Sequence, residues 1–170
     1  GSHHDPTQRA IRTLYGTTFA GGATGYGSIF EITQGGVFTT LYSICSTPGV
    51  CNDGALPAGG LLQGTNGIFY GTTSGGGTSG EGTIFSLDTA LVPFVSFIRN
   101  PAKIGQQFGI LGYGLTGTTS VSFNGVAANF KPQSDTLLVA TVPSGASTGY
   151  VTVTTPGGTL TSNVPFRVIR

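Results

Sequence analysis

Short apolar runs separated by glycine set the rhythm of this chain. "VFTTLYSI", "IFYGTT", "GTIFSL", "SVSFNG", "LLVATV" and "GYVTVTT" are each rich in β-branched and aromatic residues. Gly, Asn, Asp or Pro bounds each of them, which is how strands between turns read. Val121 and Phe123 alternate with Ser120 and Ser122, and Val151 and Val153 with Thr152 and Thr154. That period of two gives each strand one apolar face. No window sustains a 3.6-residue apolar period, and glycine interrupts almost every candidate helix. The pattern predicts an all-β chain. Turn chemistry supports it: Asn124-Gly125 is a type I′ hairpin signal, Thr65-Asn66-Gly67 closes a second hairpin, and Pro156-Gly157-Gly158 turns the chain before its last strands.

One stretch occurs twice. "LYGTTFAGGATGYGSIFEI" at 14–32 returns as "FYGTTSGGGTSGEGTIFSL" at 69–87, a period of 55 residues. Tyr15 maps onto Tyr70, Gly21-Gly22 onto Gly76-Gly77, Gly27 onto Gly82, and Ile29-Phe30 onto Ile84-Phe85. One period holds the strands "LLQG", "IFYGTT", "GTIFSL" and "FTTLYSI". Four antiparallel strands per repeat match a β-propeller blade, so about one and a half blades are expected over residues 13–90. Repeat units bury their faces and strand edges against neighbours. The strings "IFYGTT" and "VFTTLYSI" are therefore expected to offer unpaired backbone, and copies of the chain to associate through the repeat region.

The strings "GTIFSL", "TTLYS", "DGALPAGGL" and "NGIFYGTT" resemble a tandem repeat of bacterial extracellular proteins, of the Gloeobacter/Verrucomicrobia type. That resemblance covers about residues 13–90 and implies a secreted or surface location and propeller-like sheets; it carries no catalytic residues. Residues 92–170 resemble an IPT/TIG domain, an immunoglobulin-like β-sandwich, through Pro101, Gly105, Phe108, Gly112, Val121, Phe123, Gly125, Val142-Pro143, Gly149, Val151-Thr152-Val153, Pro156-Gly157-Gly158 and Phe166. The expected architecture is thus a tag scar and leader over 1–12, propeller-like repeats over 13–90 and a sandwich over 92–170. The opening Gly-Ser-His-His reads as a cloning scar, and the chain reads as the C-terminal piece of a longer protein.

Composition narrows the chemistry. Charged residues are only 8% of the chain, glycines number 30 of 170, and 38% hydrophobic residues supply enough apolar surface for a core. The net charge of +1 comes with Lys and Arg scattered along the chain. No basic cluster exists to neutralise phosphates, so nucleic acid is not an expected partner. No apolar run approaches the roughly 20 residues of a membrane-spanning helix, so no membrane insertion is expected.

The two cysteines, Cys45 and Cys51, flank Pro48-Gly49. That turn can fold the chain back so that the sulfurs meet; the expectation is a disulfide, with free thiols and, last, a metal site as alternatives. A disulfide would imply an oxidising compartment, outside the cytoplasm.

Catalytic constellations are absent from the pattern. Both histidines, His3 and His4, lie in the scar, and the six carboxylates Asp5, Glu31, Asp53, Glu81, Asp88 and Asp135 recur in no pair. All six read as solvated turn residues. No cofactor and no metal site is expected. Tyr26, Tyr15 and Tyr70 are the candidates for stacking on a sugar ring. Tyr15 and Tyr70 repeat strictly, which favours packing for them; Tyr26 has no aromatic counterpart and is the better candidate for exposure. The expected role is a non-catalytic structural or adhesive module at a bacterial surface, with copies of itself and glycan or surface protein as partners. The alternative is a carbohydrate-binding accessory module of a secreted polysaccharide-degrading enzyme.

Overall fold

The computed structural model describes residues 13–47 and 49–169. Its seventeen strands, with no helix among the described residues, make the protein all-β. The chain divides into two compact units: one holds 69–87 and the described residues up to 63, the other 64–68 and 88–169.

The first unit contains two small sheets. β1 (Leu14–Thr18), β2 (Ser28–Ile32) and β3 (Phe38–Ser43) form an antiparallel meander. β4 (Ala55–Pro57) and β5 (Leu62–Gln63) lie along one edge of β6 (Phe69–Gly75), and β7 (Ile84–Leu87) pairs with β6 from Phe69↔Leu87 to Thr72↔Ile84. β4 and β5 are one edge strand interrupted by the Gly-rich residues 58–61. β6 is therefore central. The expectation that "IFYGTT" would be an unpaired strand is corrected: both its edges are hydrogen-bonded, because the stretch after the Cys loop folds back to cover it.

The doubled sequence folds as a doubled hairpin, β1–β2 and β6–β7. Its glycines explain why. The aromatic rings of Phe30 and Phe85 lie across Gly16 and Gly71 on the neighbouring strand, where a side chain would collide with them. Gly27 and Gly82 sit at φ 104° and 100°, and each donates its N–H at 3.0 Å to the carbonyl of Gly21 or Gly76. Thr18 Oγ1 lies 2.9 Å from Ser28 Oγ, and Thr73 Oγ1 lies 3.0 Å from Thr83 Oγ1. The hydroxyls close both loops in the same way.

The second unit is a sandwich. β11 (Ser120–Phe123) pairs with β12 (Val126–Ala127) and β15 (Val151–Thr155), and β15 with β16 (Gly158–Ser162). The facing sheet joins β10 (Gln107–Leu111) to β14 (Leu137–Thr141), and β14 to β13 (Phe130–Pro132). β8 (Phe94–Phe97) serves both: Phe94 and Val95 run parallel to β16, while Ser96 and Phe97 pair antiparallel with β10. β9 (Ala102–Lys103) and β17 (Val168–Ile169) form a short parallel pair. Asn124 and Gly125 both take positive φ, 47° and 88°, as a type I′ hairpin needs. The alternating residues Val121, Phe123, Val151 and Val153 are buried between the sheets with Ile110, Leu138, Val142 and Phe166. Asn100 ties the last segment down: its Nδ2 donates to Pro165 C=O at 3.0 Å, and Arg167 N–H donates to its Oδ1 at 2.8 Å.

Candidate functional site

The first unit carries a cleft of about 380 Å³. One wall is the strand stretch Thr83–Leu87; the other is built by Ile29 and Tyr42 from the first sheet and by Ile44, Asn52 and Asp53 from the Cys loop. Among the described residues, β7 has no second strand, so its outer edge opens on this cleft. The internal repeat gives a direct comparison. Ile29 and Ile84 hold the same place in the two hairpins, yet Ile29 is 2% exposed and Ile84 83%. β2 is covered by β3, where Tyr42 pairs with Ile29; β7 has no such cover.

The Cys loop is tied together on its side of the cleft. Cys45 and Cys51 form a disulfide. The Pro48 half of the expected turn lies outside the described residues, while Gly49 takes φ 85°. Asp53 then pins the loop to β3: the Tyr42 hydroxyl donates to its Oδ2 at 2.8 Å, and Ser46 N–H donates to the same oxygen at 2.9 Å. Burial by itself raises the pKa of this carboxyl. The backbone N–H of Ser46 and the Tyr42 hydroxyl, helped by the backbone at Asp53 and the Ser46 hydroxyl, more than offset that and hold it below the usual carboxylate range. Asp53 is therefore an anchor as well as a turn residue, a role that the sequence pattern missed. The one available signal was its place just beyond Cys51.

The three tyrosines fall in different settings. The Tyr15 ring packs against Phe69, 4.5 Å between centroids, which joins the two small sheets. Tyr70 is half-buried on β6. Tyr26 is 41% exposed on the loop between β1 and β2, and Phe19 on the same loop is 58% exposed. Phe19 thus shares a loop and exposure with Tyr26, whereas Tyr15 and Tyr70 lie on strands. Among the described residues no group of three His, Cys, Asp or Glu could hold a metal ion, and no helix is long and apolar enough to cross a membrane.

The C-terminal unit resembles a known domain. Its two sheets, bridged by β8 and filled by Phe108, Phe123 and Phe166, are those of an immunoglobulin-like sandwich. Residues 93–168 match the IPT/TIG domain. IPT/TIG domains are in general non-catalytic immunoglobulin-like modules of adhesion or domain spacing. The match leaves the repeat unit outside it, and no curated protein matches the chain.

Proposed function

We propose that this chain is a non-catalytic structural or adhesive module of a secreted or cell-surface bacterial protein. In this reading the repeat unit is about one and a half blades of propeller-like sheet, and it associates with other copies while the IPT/TIG domain spaces or presents neighbouring domains. The observation that carries the reading is the IPT/TIG match over residues 93–168, a family of binding and spacing modules. The Cys45–Cys51 disulfide suits an oxidising, extracytoplasmic compartment. Fold alone assigns no ligand, so the test is direct. The full chain, assayed on polysaccharides, should release no product; turnover would overturn the reading.

A second reading, a carbohydrate-binding accessory module, draws on Phe19 and Tyr26, two exposed rings on one loop. A glycan array probed with the wild-type chain and with a Phe19→Ala/Tyr26→Ala variant separates the two. Binding that the variant loses favours the second reading.

A further inference from the structure

Among the described residues no strand pairs with the outer edge of 83–87, and the first half of the repeat shows what such an edge looks like when it is covered. Thr73 N–H donates to Thr83 C=O at 2.9 Å. Antiparallel ladders alternate, so Thr83, Phe85 and Leu87 turn their backbone groups toward β6. Ile84 and Ser86 turn theirs outward, into the cleft. Natural edges are commonly blunted by charge, proline, a bulge or shortness. Ile84, Phe85, Ser86 and Leu87 include no charged residue and no proline. Among the described residues the other outer strands of this unit are β1, β3 and the interrupted β4–β5; β3 differs from β7 in that its register with β2 shifts at Ile29/Phe30, which leaves Leu41 as the extra residue of a bulge. β7 keeps an unbroken register.

We propose that β7 pairs edge to edge with β7 of a second copy of this chain, antiparallel, across a two-fold axis at Phe85. The inference rests on the reading of the repeat unit as self-associating and names the strand that does it. The edge is self-complementary. With Phe85 on the axis, Ile84 N–H meets Ser86 C=O of the second copy, and Ser86 N–H meets its Ile84 C=O. Such an isologous contact closes on itself, whereas a head-to-tail pairing of β7 with β3 would leave free edges to grow into filaments. A net charge of +1 gives two copies little mutual repulsion. The joined strands run β6-β7-β7-β6, and Ile84 gains a cross-strand neighbour, Ser86 of the second copy, where Ile29 has Tyr42.

Sedimentation of the full chain across a dilution series tests this, with amide hydrogen exchange at both ends of the series. The expected result is a dimer that dissociates on dilution, with the Ile84 and Ser86 amides gaining protection as concentration rises. Ser86→Pro removes one outward donor from each copy and leaves the β6 ladder intact. It should weaken the dimer roughly 10- to 100-fold with little change in thermal unfolding. Ile84→Lys, which places like charges across the axis, should do the same if the proline variant folds poorly. A dimer that survives both substitutions, with protection gained on β3 instead, overturns the β7 assignment and leaves self-association standing. A chain that stays monomeric throughout overturns self-pairing altogether; the non-catalytic reading is decided separately, by the polysaccharide assay.

Discussion

Phe166 stacks on Phe108, with ring centroids 4.4 Å apart and planes 26° apart. Phe97 and Phe123 meet the same Phe166 ring edge-on at 5.0 and 5.3 Å. One residue near the end of the chain thus joins the aromatic core contributed by β8, β10 and β11. Asn100 holds its neighbours Pro165 and Arg167 in place. Closing the sandwich therefore depends on a segment held by the bridge from Phe166 to Gly149 and by the two-residue pair of β17 with β9.

Phe166→Ala should cost the C-terminal domain about 3–5 kcal/mol, the usual loss for a buried aromatic. Denaturant unfolding of residues 92–170, expressed alone, measures it. The wild-type fragment should unfold cooperatively, because every residue of the buried cluster lies between Val95 and Val168. A molten wild-type fragment would mean that part of its core comes from elsewhere in the chain.

Glycines of the repeat should differ sharply in their tolerance of alanine. At Gly82 a Cβ would strike the Thr73 carbonyl, and at Gly27 the Thr18 carbonyl, besides the strain of positive φ. At Gly25 and Gly80 the φ is also positive, 86° and 79°, but nothing lies within 4 Å. Gly25→Ala and Gly80→Ala should cost about 1–2 kcal/mol each from backbone strain. Gly27→Ala and Gly82→Ala should cost more. Equal melting temperatures across the four variants would contradict the close approach.

Removing the disulfide should destabilise the first unit modestly. Closing so short a loop constrains the unfolded chain by about 2 kcal/mol. The Cys45→Ser/Cys51→Ser variant should therefore melt earlier in the first unit only. Thiol titration of the unfolded, unreduced wild type should find almost no free sulfhydryl.

Acid should loosen the Cys loop. The Asp53 pKa is depressed in the folded state, so its contribution is present above the unfolded value and is lost as pH falls through the folded one. Stability of the first unit should be flat near neutral pH and fall below the ordinary carboxylate range. In Asp53→Asn that fall should shrink, since the amide cannot titrate. Tyr42→Phe, which deletes one donor to Asp53 Oδ2, should move the fall to higher pH. Melting curves between neutral and acid pH read all three.

Local chemistry in the sequence by itself determined much of this protein. Strand after strand follows from alternating apolar residues, as in Val151–Thr155, because a period of two can bury one face whatever lies opposite. The Asn124-Gly125 hairpin and the positive-φ glycines at 27 and 82 follow from steric limits that act within a few residues. The IPT/TIG match of residues 93–168 was legible for the same reason: its turns and core positions are spaced along one continuous stretch. What only the tertiary structure decided is which neighbour each element meets. Ile29 and Ile84 are the same residue in the same local sequence, yet one is buried and the other bare, because β3 covers one edge and nothing among the described residues covers the other. Tyr15 became a packing residue through Phe69, more than fifty positions away in the chain. Asp53 became an anchor through the hydroxyl of Tyr42 across the loop. Burial and hydrogen bonding depend on contacts between segments distant in sequence, and a local pattern carries no record of them.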